Sequence, residues 1–145
     1  MDSIFKSKFK IDELLIKEFK YWVVTLRPWQ PTIGSLVLSL KRTCKHLSDI
    51  SSDESKELKK CFSEIESYLS TTFNYDKINY LCLMMVDEHV HFHVIPRYEN
   101  AIIFNEVKFV DTGWPGPPDL SDAIKDDEVR EDMLLEIKQK IINNT

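Results

Sequence analysis

Three of the four histidines in this chain fall at alternate positions of the stretch DEHVHFHVIPRY, as His89, His91 and His93. Alternate side chains share a face of an extended backbone, so the three imidazoles project together while Val90, Phe92 and Val94 enter the opposite layer. Neighbouring histidines on a strand are about 6.5–7 Å apart at Cα, near enough for one phosphate to touch two or three rings. Imidazole exchanges neutral and protonated forms near pH 7, so such a row can bind an anion, attack phosphorus and move a proton.

Two other readings stand beside this one. Zinc accepts histidine, and strand residues at i and i+2 can share one ion. His89 and His93 lie roughly 13 Å apart along an extended strand, however, so all three meet one metal only if the strand bends sharply. The other reading is a solvated strand face without chemistry. Three of four histidines on one face, each with a switchable charge, argue for a site instead.

The elements that position this row follow from periodicity. Ile11, Leu14, Leu15 and Phe19 recur at helical spacing, with Asp12 and Glu13 near the start, and predict a short helix over 11–21. YWVVTL (21–26) is β-branched and aromatic, Pro28 and Pro31 interrupt it, and SLVLSLKR resumes an extended pattern, so two adjacent strands are expected. Ser52, Glu54 and Ser55 lie near the start of a long helix whose apolar face carries Leu58, Cys61, Phe62, Ile65, Tyr68 and Leu69. KINYLCLMMV and HVHFHVIPRY read as a hairpin around Asp87-Glu88, which puts the histidines on its second strand. Short apolar runs at AIIF and VKFV precede the Gly/Pro-rich loop DTGWPGPPDLSD, and a second helix is expected from Ser121, with Ile124, Met133, Ile137 and Ile141 on one side.

A chain of 145 residues suits one domain, and 43% hydrophobic with 30% charged residues is globular composition. The net charge of −5 disfavours long-range attraction of a polyanion, so nucleic acid is not an expected partner and any phosphate needs a local site. Cys44, Cys61 and Cys82 lack the close paired spacing of zinc or redox motifs and read as reduced thiols. The N-terminus has no uninterrupted apolar core and the longest apolar run is too short to span a bilayer, from which a cytoplasmic location without a membrane partner is expected.

HVHFHVIPR resembles the H-x-H-x-H motif of the histidine-triad superfamily of nucleotide hydrolases and transferases, in its bacterial form. PTIGSLVLSLKR is similar to the family's stretch that ends one strand and begins the next, and LSDISSDESKEL to the following loop and helix, so the resemblance covers roughly 20–98. It implies an α+β histidine-triad fold: an antiparallel sheet of about five strands, a long helix across it and a C-terminal helix, all in a single domain 1–145 with a C-terminal arm and helix at 99–145. It also implies a homodimer and a small-molecule nucleotide substrate.

By the same resemblance His91 is the nucleophile that forms a nucleotidyl-histidine intermediate, His93 contacts the phosphate or leaving group, and His89 fixes the local hydrogen bonds. The implied reaction is hydrolysis or transfer at an α-phosphate, releasing a nucleoside monophosphate from a dinucleoside polyphosphate or a nucleoside phosphoramidate. No cofactor is implied at the nucleophile, though magnesium can accompany a polyphosphate. Asn79 and Arg97 are candidate phosphate contacts. Ser35 stands where many members have a fourth histidine, and it can hydrogen-bond but cannot titrate near neutrality. The family's glycine-rich, glutamine-containing loop is missing before the triad, and the acid that often holds ribose aligns with Thr25 or Arg27. Trp114 in GWPGPP is similar to a tryptophan-proline tail that, in one branch, reaches the partner subunit's substrate region. His46 reads as structural or exposed, and Trp22 and Trp29 as core or interface residues. A nucleotide-binding protein with little catalysis and a metal-binding strand protein remain the alternatives.

Overall fold

A computed structural model describes all 145 residues. Two strands are laid down early, β1 (Leu15–Glu18) and β2 (Trp22–Leu26), followed by β3 (Leu36–Leu40). The helix α2 (Ser52–Phe73) then crosses the sheet and returns the chain to β4 (Lys77–Leu81) and β5 (His91–Arg97). All pairings are antiparallel and the order is β1-β2-β3-β5-β4, which places the histidine-bearing strand between two neighbours. The expected five-stranded α+β architecture is the one observed.

Alternation divides the sheet into two differently filled faces. Trp22, Val24, Leu26, Leu36, Leu38, Leu40 and Val94 join Cys61, Ile65 and Leu69 of α2 in the main core. On the reverse face Val23 and Val37 pack with Phe5, Phe9 and Ile11 in a smaller cluster. The lateral pairs Val37↔His93 and Ser39↔His91 put the histidines on that reverse face. Phe5 belongs to a short helix, α1 (Ser3–Lys8), and Phe9 caps its C-terminus; Asp2 caps the other end by accepting from the Phe5 N–H.

The helix expected over 11–21 does not form. Leu14 and Ile16 enter the main core whereas Leu15 packs with the smaller cluster, so burial on two sides enforces a period of two and a strand results. α2 begins as expected near Ser52, and Ser51 caps it: the Ser51 hydroxyl accepts from the Glu54 N–H and the Glu54 carboxylate accepts from the Ser51 N–H. Arg42 grips the same carboxylate through two nitrogens, and chiefly for that reason its pKa falls to about 2.

After β5, β6 (Ile102–Phe104) and β7 (Val107–Phe109) form a separate hairpin, whose turn residues Asn105 and Glu106 both have positive φ. The C-terminal helix α3 (Asp127–Ile142) starts six residues later than the expected Ser121, because Asp126 supplies its cap; Ile124 is buried just ahead of it. Met133, Leu134, Ile137 and Ile141 close the core.

The expected hairpin around Asp87-Glu88 is a longer excursion. The β4 ladder ends at the pair Leu81↔His93, so residues 82–90 leave the sheet and arch beside the histidines. Met84 takes a positive φ of 50°, and Leu83, Met85 and Val86 are exposed. Their β-branched and apolar character has no strand opposite it to pair with.

Candidate active site

His91 and His93 lie on β5, and His89 stands two residues before it. Each ring's hydrogen-bond partners fix its tautomer. The His91 Nδ1 meets the backbone carbonyl of His89, which can only accept, so Nδ1 carries the proton and Nε2 is unprotonated. Arg27 Nε donates to His93 Nδ1 at 3.2 Å, and a guanidinium can only donate, so the His93 proton sits on Nε2. That Nε2–H points at His91 Nε2, 3.2 Å away. His89 Nε2 donates to the Leu40 carbonyl at 2.7 Å while its Nδ1 accepts from the Cys44 N–H at 3.5 Å. Two rings therefore meet nitrogen to nitrogen and the third is turned away to the backbone, so the three do not converge on one point as a shared metal requires.

Burial governs the charge state. His91 is 1% exposed, His89 5% and His93 8%. Removal from water lowers all three pKa values, and His93 falls to about 4, first through burial and then through the Arg27 cation. The expectation that both imidazole forms are available near pH 7 is thus corrected: the row is neutral there.

Residues that the sequence left unassigned make up the walls. Phe5 stands edge-on to His89 and His91, at ring separations of 4.9 and 5.0 Å, and Phe9 lies 5.7 Å from His91 and 6.1 Å from His93. Trp29 packs edge-on to Phe9 at 5.8 Å, so it belongs to the site and not merely to the core. A cavity of about 220 Å³ opens beside the rings, lined by Lys8, Arg27, Trp29, Met84, His91 and His93 among others. Small-molecule sites usually span about 300–1,000 Å³. The cavity is smaller than that range and has room for a phosphate group beside the rings, between α1 and the 82–90 arch. Lys8 and Asp87, 2.7 Å apart, tie these two covers together. The Asp2-capped pair Phe5 and Phe9, spaced i and i+4, was the available signal for this wall.

Other expected site residues lie elsewhere. Ser35 is fully buried, and its hydroxyl donates to the Thr32 carbonyl at 2.8 Å, within a turn that Gln30 clasps through four hydrogen bonds. Arg97 shares the histidine face but sits four residues past His93, about 13 Å along the strand. Its nitrogens are taken by Asp111 at 2.7 and 3.1 Å and by the Asn79 side-chain oxygen at 2.8 Å, leaving little for a substrate. Trp114 is half-buried in the turn after β7, its backbone N–H donating to the Asp111 carbonyl. Thr25 is fully buried with its hydroxyl unpartnered. His46 is exposed ahead of a 3-10 turn, and Trp22 is core. None of these reaches the triad within the chain; Arg27 does.

A five-stranded antiparallel sheet with a helix crossing one face and a histidine pair set nitrogen to nitrogen on the other, beneath Phe5 and Phe9, marks the kind of protein this is. The HIT domain model matches residues 8–100, and the chain belongs to that family. It is 29% identical over 133 residues to the bis(5'-adenosyl)-triphosphatase of Saccharomyces cerevisiae, an alignment that takes in 80% of this chain and 64% of the relative. The chain thus spans less than two thirds of that relative's length. A histidine triad protein from Sinorhizobium meliloti shares the fold with a TM-score of 0.70 at 18% identity, covering 100% of this chain and 96% of that one. The diadenosine triphosphate hydrolase of Plasmodium falciparum, solved with cyclomarin A, shares it with a TM-score of 0.61 at 18% identity, over 90% of this chain and 78% of that one. No helix is long and apolar enough to cross a membrane.

Proposed function

We propose that the protein hydrolyses or transfers nucleotides at the α-phosphate, through a covalent nucleotidyl group on His91. One observation carries this reading: the His89 carbonyl holds the His91 proton on Nδ1 and leaves Nε2 as an unprotonated nucleophile. In the first step the Nε2 lone pair forms an N–P bond while the bond from phosphorus to the bridging atom breaks, its electron pair leaving with the departing group. The ring gains positive charge, which the same carbonyl stabilises through Nδ1–H. Water then attacks phosphorus, the P–N bond breaks, and a nucleoside monophosphate leaves as the water proton passes to solvent. Lys8 and Arg27 offer cationic donors to the phosphoryl oxygens in the cavity. Kinship with a bis(5'-adenosyl)-triphosphatase supports a dinucleoside polyphosphate as substrate; magnesium is expected to accompany it, and none is needed at the nucleophile.

His91→Asn tests the role directly. Turnover of diadenosine triphosphate is expected to fall by about 10⁴-fold or more, the scale seen when a covalent nucleophile is removed. Mass spectrometry of the quenched parent protein should find an acid-labile nucleotidyl group on His91. Retained turnover in the variant removes His91 from this role.

A second reading is favoured by the burial of the same ring beneath Phe5 and Phe9: a nucleotide-binding HIT protein with little catalysis. Nucleotide binding without monophosphate release from the parent protein selects it. Pairing of two chains is proposed on the family resemblance and on the unpaired outer edge of β4, and light scattering of the purified protein tests it.

A further inference from the structure

Arg27 is 9% exposed and pairs with no carboxylate. Its Nε donates to His93 Nδ1 at 3.2 Å and its Nη1 to the Trp29 carbonyl at 2.7 Å, while the residue lines the cavity that His91 and His93 also line. A guanidinium taken out of water with only neutral acceptors is costly to keep. Burial lowers its pKa to about 10, which still leaves it a cation at neutral pH.

That cation restricts what His93 can do. Arg27 has no acceptor to offer, so the contact persists only while His93 Nδ1 bears a lone pair. A second proton on His93 would set donor against donor and charge against charge. The other charged or titratable groups facing the ring are His91 on its own strand, Lys8 from α1 and Asp87 from the 82–90 arch, the last two paired with each other.

We propose, resting on the nucleotidyl-histidine reading, that Arg27 locks His93 as a neutral hydrogen-bond donor and thereby confines the site to leaving groups that depart as stable anions. A nucleoside phosphate meets this condition. As His91 Nε2 bonds to phosphorus, the P–O bond breaks and the oxygen keeps the electron pair, needing only the hydrogen bond from His93 Nε2–H. The amine of a phosphoramidate must take a proton as the P–N bond breaks. His93, holding one ring proton, would have to become an imidazolate to give it. Arg27 acts here through His93 as a positioning residue, and its unpartnered Nη2 adds a donor towards the transferred phosphate.

Two measurements test this on the full chain and on its Arg27→Gln and Arg27→Lys variants. In ¹⁵N spectra of histidine-labelled protein, His93 is expected as the Nε2–H tautomer with a titration midpoint near 4. Arg27→Gln, whose amide can turn its oxygen to the ring, should raise that midpoint by about one unit or more, while Arg27→Lys, keeping the cation, holds it low. In kinetics, parent kcat/KM for diadenosine triphosphate should exceed that for adenosine 5'-phosphoramidate by about 10²-fold or more, the reach of one general acid, and Arg27→Gln should narrow the ratio at least about tenfold. An unchanged His93 tautomer and midpoint in Arg27→Gln overturns the lock, and a parent protein that cleaves both substrates equally overturns the leaving-group rule. Cleavage of neither substrate defeats the nucleotidyl-histidine reading and the leaving-group rule with it. The His93 titration, which needs no turnover, then still decides whether Arg27 holds the ring.

Discussion

Two arginines on the same sheet face, Arg27 at 9% exposure and Arg97 at 4%, have opposite surroundings. Arg97 lies in a fork with Asp111, whose carboxylate also accepts from the Tyr98 N–H, and its last nitrogen reaches Asn79. Its charge is neutralised and its donors are used. Arg27 meets an imidazole and a backbone carbonyl, with a nitrogen left over beside a cavity. A buried cation given its carboxylate is a clamp, here fastening the end of β5 to the segment that follows β7. One denied a carboxylate has its field directed at whatever enters.

Asp111→Ala should have the largest effect on stability. It strands the Arg97 charge under cover and should cost about 3–5 kcal/mol in urea unfolding. Arg27→Met, which removes a buried charge that had no carboxylate, is expected to change stability by less than about 1 kcal/mol. Comparable losses in the two variants would show that both arginines are structural.

A second contrast appears with pH. His93 is held below its unfolded value, so between about 6.5 and about 4 the unfolded chain binds the extra proton and the folded chain does not. Stability is therefore complete above about pH 6.5 and is lost as pH falls towards 4, by roughly 2–3 kcal/mol from this group, with His89 and His91 acting in the same direction. Urea midpoints measured from pH 7 to pH 4.5 should show that slope, and His93→Gln should make it shallower, with the remainder coming from His89 and His91. A flat profile in the parent protein would mean that the rings are hydrated.

The smallest effect belongs to the strap over the site. Asp87→Asn, which cuts the strap and keeps the Lys8 cation, should cost no more than about 1 kcal/mol, since the Lys8–Asp87 pair is partly exposed. If α1 must lift for a nucleotide to enter, the same change lowers KM for diadenosine triphosphate, whereas an unchanged KM means that α1 does not gate entry.

Some of this was legible before any coordinates. The alternation of His89, His91 and His93 with Val90, Phe92 and Val94 is a local property of extended chain, and β2, β3 and α2 announced themselves by period and punctuation. β1 did not, because Ile11, Leu14, Leu15 and Phe19 satisfy a helical pattern until two separate layers claim Leu14 and Leu15. Residues 82–86 read as strand because nothing local says that their partner strand has already ended at the Leu81↔His93 pair.

That three imidazoles share one side of a ribbon follows from residue order alone, through the two-residue repeat of the pleat. Which nitrogen of each ring is bare, what charge it carries and which cation stands behind it were decided only by folding. Those properties come from the Leu40 and His89 carbonyls, from Arg27, and from the loss of water beneath Phe5 and Phe9. Hydrogen bonds and burial between residues distant along the chain have no period to read. The geometry that makes His91 a nucleophile and His93 a fixed donor therefore exists only once β2, β3 and β5 lie side by side under α1.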